Sequence, residues 1–295
     1  MIFRTDLALE RKEDLPGNVP GISTRESKRG RAKITRLRVE DERGEQAIEK
    51  PVGNYVTIEL PAFTDNINDG REELGAVAEE LTALLPAEGL VLVIGLGNEE
   101  ITPDALGPWS ARRILATRHI NGEIARSSGL DLLRKVAVLS TGVLGQTGIE
   151  TVELLSGLTQ QLKPAAVIAI DALASRKLTR LGCTIQMSDS GISPGAGVGN
   201  KRPCLNQETV GVPVVSIGVP TVVDAATLAA ELVSPHNEEE ARVIREMVAP
   251  RGAQMVVTPR EVDLLVRRAA ASISLAVNCA LHPDISPEDF QLLVS

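Results

Sequence analysis

Short runs of aliphatic residues recur along this chain and alternate with segments that have helical spacing. The runs lie at residues 90–94, 136–139, 166–170, 184–187 and 214–217. The helix-patterned segments lie at residues 74–85, 106–117, 149–162, 223–232, 238–247 and 260–281. A strand that is apolar throughout must be covered on both faces, which is typical of parallel sheets. The pattern therefore predicts an α/β fold, with a mainly parallel sheet and helices on both faces.

The N-terminal part of the chain follows a different pattern. Residues 1–33 are rich in charged residues and turn formers, and such a segment cannot bury enough apolar area to order by itself, so we predict a flexible or late-docking arm. Residues 34–39 and 55–60 alternate in polarity around a polar loop, which predicts a β-hairpin. Residues 7–70 are accordingly expected to form an arm and hairpin region, and residues 71–295 the α/β domain that carries any catalysis.

Composition excludes several classes of function. The chain has 295 residues, a formal net charge of −8 and only one Trp, one Tyr and three Phe, so it lacks the basic groove and stacking platforms of a nucleic-acid-binding protein. Its three cysteines are widely spaced, which rules out a disulfide framework and a C-x-x-C metal site. No aliphatic run approaches the ~18 residues of a membrane span, and no secretory signal is present. We expect a soluble intracellular protein without a membrane partner.

Two carboxylates stand where an α/β sheet places its ligand site. Ligands bind outside the carboxyl ends of parallel strands, and Asp171 directly follows the run at 166–170. Asp104 follows Thr102 and Pro103, which suit the start of a helix. Alone, each could be an ordinary turn or helix-start carboxylate. Together they could act as base and acid around a water molecule, because two close carboxyls share a proton.

Other chemistries find less support. The turn Gly95-Leu96-Gly97 suggests a dinucleotide site, but the third glycine of that motif would fall at Glu100. The segment 195–202 lacks the phosphate-loop pattern. The three histidines are scattered, so they predict neither a metal triad nor a Ser-His pair; they are His119, His236 and His282.

Several motifs together resemble one known family. They are TPDALGP at 102–108, TGIET at 147–151, AIDALA at 169–174, SDSGI at 188–192, GVGNKR at 197–202, GVPTVVDA at 218–225 and VTPREVD at 257–263. In this order they resemble the germination protease, or spore protease, of endospore-forming bacteria, an atypical aspartic peptidase family. The resemblance spans nearly the whole chain.

The resemblance implies a fold similar to the hydrogenase-maturation proteases and an endopeptidase that degrades small acid-soluble spore proteins at germination. It implies that Asp104 and Asp171 are the essential aspartates, that the enzyme is a homotetramer in the cytoplasm of the forespore and spore core, and that it needs no cofactor. It also implies a zymogen with a propeptide. Here the propeptide would be residues 1–6, removed by autocatalytic cleavage between Asp6 and Leu7.

A preference for an acidic residue before the cut, also implied by the resemblance, calls for a cation at the site. The candidates are Arg176, Lys201 and Arg202, with solvated surface charge as the alternative for each. Asn98 and the backbone N–H groups of residues 195–199 could complete an anion site. Two other readings stay open: a metal-dependent peptidase of the hydrogenase-maturation type, and a non-catalytic factor that binds spore proteins.

Overall fold

The computed structural model describes residues 4–65, 70–120, 126–127, 130, 133–199, 202–233, 238–252 and 255–293. Its strands are β1 Ile22–Arg29, β2 Ala32–Val39, β3 Gly53–Glu59, β4 Val91–Leu96, β5 Val136–Gly142, β6 Ala166–Ala174, β7 Thr184–Ser188, β8 Val214–Asp224 and β9 Val256–Val257. Its α-helices are α1 Ala8–Glu13, α2 Glu42–Ile48, α3 Arg71–Leu84, α4 Leu106–Ala111, α5 Leu144–Thr147, α6 Thr151–Leu162, α7 Gln207–Val210, α8 Ala225–Val233, α9 Glu238–Gly252, α10 Val262–Leu281 and α11 Pro287–Leu293.

The sheet has the strand order β1-β2-β3-β7-β8-β6-β4-β5, and β9 pairs with the end of β8. Strands β8, β6, β4 and β5 are parallel, which confirms the predicted α/β fold. Strand β7 instead runs antiparallel to β8, so residues 188–190 do not leave the sheet at the edge predicted for them. The cause is the short connection at 175–183, since a parallel return needs a crossover of about a dozen residues or more.

Helices cover both faces of the sheet, as predicted. On one face α3, α4 and α10 pack on a core that includes Val93 of β4. On the other face α6 and α7 pack on a core that includes Leu92 and Ile94 of the same strand. Helix α10 is long and apolar enough to cross a membrane, but 61% of that apolar stretch is buried inside the protein. It therefore packs as a core helix.

The predicted hairpin is present but more elaborate than the sequence suggested. Strands β2 and β3 pair antiparallel, while the segment between them forms α2 instead of a polar loop. Asp41 caps that helix by accepting hydrogen bonds from the backbone of Arg43 and Gly44. Strand β1 extends the hairpin on one side, and β3 joins it to β7 on the other. The hairpin region and the α/β region thus share one sheet.

The sequence predicted a flexible or late-docking arm, and the described residues of the arm from Arg4 onward are docked. Leu7, Ala8 and Leu9 of this segment are buried. Glu10 is also fully buried, and its carboxylate accepts hydrogen bonds from the backbone N–H groups of Arg176 (2.7 Å) and Lys177 (3.0 Å). The charges that made the arm look solvated are matched to cations that follow β6. The arm therefore docks at the carboxyl end of that strand.

Candidate active site

Asp171 lies inside β6, three residues before the strand ends at Ala174, rather than at its end as the sequence suggested. Its side chain is only 5% exposed, and its carboxylate accepts a hydrogen bond from the backbone N–H of Ala172 at 2.9 Å. The neighbouring residue on β8 is Gly218, where a Cβ would clash with the backbone oxygen of Asp171. The glycine also lets the side chain of Leu173 pack where a Cβ would lie.

Asp104 ends the single 3₁₀ turn Thr102–Asp104 that follows β4. Its carboxylate accepts a hydrogen bond from the backbone N–H of Asn98 at 2.7 Å. Gly97 has a φ of +110°, and a Cβ there would clash with the backbone oxygen of Asp104. The glycine that suggested a nucleotide site therefore allows the chain to bring Asp104 back against the end of β4.

Asp104 and Asp171 line one cavity of about 480 Å³. Burial raises the pKa of Asp104, against the hydrogen bond from Asn98. Burial also raises the pKa of Asp171 well above its usual value, and the nearby charges of Asp104 and Asp6 raise it further. Carboxyls that disfavour each other's ionisation can hold one proton between them, so the pair can supply both a base and an acid.

The N-terminal segment lies across this cavity and brings a third carboxyl group to it. The N–H of Asp6 donates to the carbonyl of Ala174 at 2.9 Å, and the carboxylate of Asp6 accepts from the N–H of Ala174 at 2.8 Å. Gly197 lies so close that a Cβ would clash with that carboxylate. Burial raises the pKa of Asp6, against the charge of Lys50 and hydrogen bonds from Ala174 and Gly197. The segment is held as an extended peptide is held at a sheet end.

Gln186 of β7 contacts the same segment from the other side. Its Nε2 donates to the carbonyl of Asp6 at 2.9 Å, and its Oε1 accepts from the N–H of Ala8 at 2.7 Å. The side chain is 8% exposed. The bond between Asp6 and Leu7 therefore lies between two hydrogen bonds from one amide group.

The sequence model of the germination protease family matches residues 4–235 and 232–293. The germination protease of Caldanaerobacter subterraneus is 43% identical over 318 residues, covering 99% of this chain and 98% of that protein. The chain belongs to the germination protease family. The germination proteases of Clostridium tetani and Bacillus subtilis are 41% and 34% identical, and the matches cover 98% of this chain in both cases. This member of the family is therefore a peptidase.

Among solved structures, the [NiFe] hydrogenase maturation protease HycI from Thermococcus kodakarensis is similar to the chain at 17% sequence identity. The TM-score is 0.37, and the match covers 67% of this chain and 98% of that one.

Two of the candidate binding residues, Arg202 and Asn98, line the cavity that holds Asp104 and Asp171. Arg202 also pairs with Glu150 at 3.4 Å. The side-chain oxygen of Asn98 accepts a hydrogen bond from Gln146 Nε2 at 2.8 Å, while its backbone serves Asp104.

Arg176 does not line this cavity. Its guanidinium pairs with Asp14 and, at 3.6 Å, with Glu231, so it anchors the N-terminal arm. Lys201 and His236 lie outside the described residues.

Lys50 is a cation that the sequence analysis missed. With Asp6, Asp171 and Gln186 it lines a second cavity of about 560 Å³, and it makes no ion pair within the described part of the chain. Burial lowers the pKa of Lys50, while the charge of Asp6 opposes that change. Lys50 was missed because it comes from the loop after α2 and not from a strand end. The sequence analysis also did not single out Gln186, because this residue lies within a run that was predicted only as a strand. A polar side chain inside a buried strand was a signal that could have identified it.

Within the described residues, no group of three or more His, Cys, Asp or Glu side chains is arranged to hold a metal ion.

Proposed function

We propose that the chain is an aspartic endopeptidase in which Asp104 and Asp171 activate a water molecule between them. One observation carries the proposal: the two carboxyl groups line a single cavity across which the chain's own N-terminal segment is held. The raised pKa values of both groups support it, because such a pair works with one carboxyl ionised and the other protonated.

The surroundings favour one assignment of roles. Asp171 holds the shared proton, since burial and two neighbouring charges raise its pKa. Asp104 is the base, since its pKa is raised by burial alone and the hydrogen bond from Asn98 opposes that rise. As the water oxygen attacks the peptide carbonyl, Asp104 takes a proton from the water, and Asp171 donates a hydrogen bond to the carbonyl oxygen. Asp104 then passes the proton that it took from the water to the leaving amine nitrogen as the C–N bond breaks, which restores its carboxylate.

The first bond cut is proposed to be Asp6–Leu7 of the chain itself, which makes residues 1–6 a propeptide. The support is that hydrogen bonds hold residues on both sides of this bond: Asp6 to Ala174, and Ala8 to Gln186. The backbone of Leu7 is extended, with φ −79° and ψ 119°, as a peptide entering a protease must be.

The proposal extends to substrate, place and assembly. The substrates are small acid-soluble spore proteins, and the enzyme acts as a homotetramer in the spore core. Because Asp6 occupies the position before the cut, a substrate would place an acidic residue there. Lys50, which shares a cavity with Asp6, is the best supported cation to receive that side chain, alongside Arg202.

Mass spectrometry of the full chain before and after mild acidification tests the proposal. We expect loss of residues 1–6 from the unsubstituted protein, because mild acidification protonates Asp171, whose pKa is raised further, and leaves Asp104 ionised as the base. Asp104→Asn and Asp171→Asn should each keep the full mass. If both variants lose the six residues at the unsubstituted rate, the paired-aspartate mechanism is wrong.

Two controls separate this proposal from its rivals. Metal-assisted hydrolysis predicts that exhaustive chelation abolishes the cut, whereas the aspartate pair predicts an unchanged rate. A non-catalytic binding factor predicts that the full chain stays intact under every condition. Cleavage that persists in the chelator and depends on both aspartates excludes both rivals.

A further inference from the structure

We propose that Gln186 clamps the peptide main chain across the bond to be cut and supplies a second hydrogen-bond donor, beside Asp171, that stabilises the oxyanion. This inference rests on the proposed function, because it takes Asp6–Leu7 as the bond that is cut. It adds a residue outside the two aspartate motifs, on a strand at the opposite side of the bound segment.

The sheet places Gln186 and Asp171 on either side of Gly218. Asp171 of β6 pairs with Gly218 of β8, and Gly218 pairs with Gln186 of β7. Residues paired in this way point to the same face of a sheet, and neighbouring strands are about 4.8 Å apart. The backbones of Asp171 and Gln186 are therefore about 10 Å apart, and the side chain of Leu173 packs over Gly218 between them. Asp6 lines the same cavity as Asp171 and Gln186.

The hydrogen bonds of Gln186 fix both the amide and the peptide. The carbonyl of Asp6 can only accept and the N–H of Ala8 can only donate, so a single orientation of the amide satisfies both. Both partners are main-chain atoms. The clamp therefore contacts the main chain of the peptide and does not depend on its side chains. It can bind any substrate strand that enters in this direction.

The carbonyl that Gln186 contacts is the one that water attacks. The new bond joins the water oxygen to the Asp6 carbonyl carbon, and the bond that breaks joins that carbon to the Leu7 nitrogen. After the water oxygen has attacked and before the C–N bond has broken, the carbonyl oxygen carries negative charge. A donor held at 2.9 Å stabilises that charge. The second hydrogen bond, to Ala8, keeps the leaving side in position.

Cleavage within the full chain gives the first test. Gln186→Leu removes both hydrogen bonds with little change in volume, so release of residues 1–6 should slow by about 10²- to 10³-fold. Gln161→Leu, at an exposed position of α6, is the matched control and should cut at the unsubstituted rate. Mass spectrometry against time gives each rate. An unchanged rate in the Gln186→Leu protein overturns the inference.

A second variant distinguishes two explanations for a slower cut: loss of the hydrogen-bond donor, or damage to the fold. Gln186→Glu still accepts from the N–H of Ala8, but it donates to a carbonyl only when its carboxyl is protonated. The ratio of its rate to the unsubstituted rate should therefore rise by about tenfold for each unit that the pH falls, until the introduced carboxyl is protonated. A ratio that does not change with pH overturns the oxyanion role.

A synthetic peptide of residues 3–10 tests the clamp with a separate substrate. Replacing the N–H of its residue 8 by an ester oxygen should lower kcat/KM of the unsubstituted enzyme by about 3- to 10-fold. The same replacement should have no effect on Gln186→Leu, whose own loss should fall mainly on kcat. Equal penalties in the two proteins overturn the clamp.

The aspartate variants distinguish the two proposals. If Asp104→Asn and Asp171→Asn still cut while Gln186→Leu does not, the paired-aspartate mechanism fails and the role of Gln186 stands. If the aspartate variants are inactive and Gln186→Leu cuts normally, only the inference fails. If the unsubstituted enzyme leaves the Asp6–Leu7 bond intact, both fail.

Discussion

At the scale of single residues, the carboxyl groups that we propose to be catalytic lie where a charge is costly. Asp171 has one backbone hydrogen bond to its carboxylate, little exposure and two acidic neighbours. Its ionised form is therefore less stable in the folded protein than in water. Such a group lowers the stability of the fold at neutral pH in exchange for a proton that is available to the reaction.

We expect Asp171→Asn to raise thermal stability at pH 7. The folded-state pKa of Asp171 is raised, so its contribution to stability is fully present below the unfolded value of 3.8 and is lost as the pH rises through the folded value. The Asp171→Asn variant is uncharged at every pH, so it keeps this contribution to stability at pH 7. Each ~1 kcal/mol gained corresponds to a rise in Tm of about 2–4 °C. Calorimetry at pH 7 and pH 4 should show a gain only at pH 7; a lower Tm at pH 7 contradicts the account.

Lys50→Met should reduce the preference for an acidic residue before the cut. The measurement is the ratio of kcat/KM for two peptides of residues 3–10 that carry Asp or Asn at position 6. Loss of a partly buried cation opposite the carboxylate should lower this ratio by about tenfold, equivalent to ~1.4 kcal/mol. Lys28→Met, at an exposed site on β1, is the control. If Lys50→Met leaves the ratio unchanged and Arg202→Met lowers it, Arg202 is the cation that binds the acidic side chain.

At the scale of elements, α1 is fastened to the turn after β6 by charge pairs. Burial alone would raise the pKa of Glu13, but hydrogen bonds from Arg180 and Lys177 lower it to about 2. This carboxyl stabilises the fold above its unfolded pKa of 4.5 and loses that effect only as the pH falls toward about 2. Mild acidification therefore protonates Asp171, whose pKa is raised well above its usual value, while the anchor of α1 stays charged.

Glu10→Ala should both destabilise the protein and slow the first cut. It removes a fully buried carboxylate and leaves the backbone N–H groups of Arg176 and Lys177 without their acceptor. Breaking a buried group of this kind costs about 3 kcal/mol. Urea unfolding should show this loss, and mass spectrometry a slower release of residues 1–6. Glu42→Ala, exposed on α2, should change neither; equal stability of the two variants contradicts the anchoring role.

The sequence could predict the elements that depend on local pattern and could not predict those that depend on distant partners. The alternating aliphatic runs and helices predicted the sheet, and they predicted that Asp104 and Asp171 would lie near each other, although Asp171 lies inside β6 and not at its end. The docking of α1 was not predictable, because Glu10 meets partners more than 160 residues later in the chain. The position of Lys50 was not predictable either, because only the folded chain brings it to the cavity that Asp6 and Asp171 line.

At the scale of the whole molecule, one group of neighbouring elements, α8, α9 and β9, carries exposed apolar side chains. Helices α8 and α9 pack on each other, and large side chains there remain exposed, including Leu232 (69%) and Met247 (78%). The short strand β9 adds Val256 and Val257. Exposed apolar groups of this extent are typical of a contact between chains.

If the enzyme is a homotetramer, substitution of this surface should weaken it. Light scattering after size-exclusion chromatography should give the mass of four chains for the unsubstituted protein. Met247→Lys combined with Leu232→Lys should give a smaller mass, because a contact between copies would then bury like charges. Leu178→Lys, also at an exposed apolar position, is the control. Four-chain mass in the double variant places the contact elsewhere.

The buried start of α1 has a consequence for the protein after its first cut. The N–H of Leu7 donates to Thr5 Oγ1 at 3.0 Å, and Leu7 is 0% exposed. Cleavage would turn this amide nitrogen into an amino group, which carries a positive charge when protonated, on the segment that Glu10 and Glu13 keep fastened. The new cation would stand among carboxyl groups that burial and mutual repulsion hold partly protonated. The cut would thus change the charge balance of its own site, so the processed enzyme should titrate differently from the intact chain.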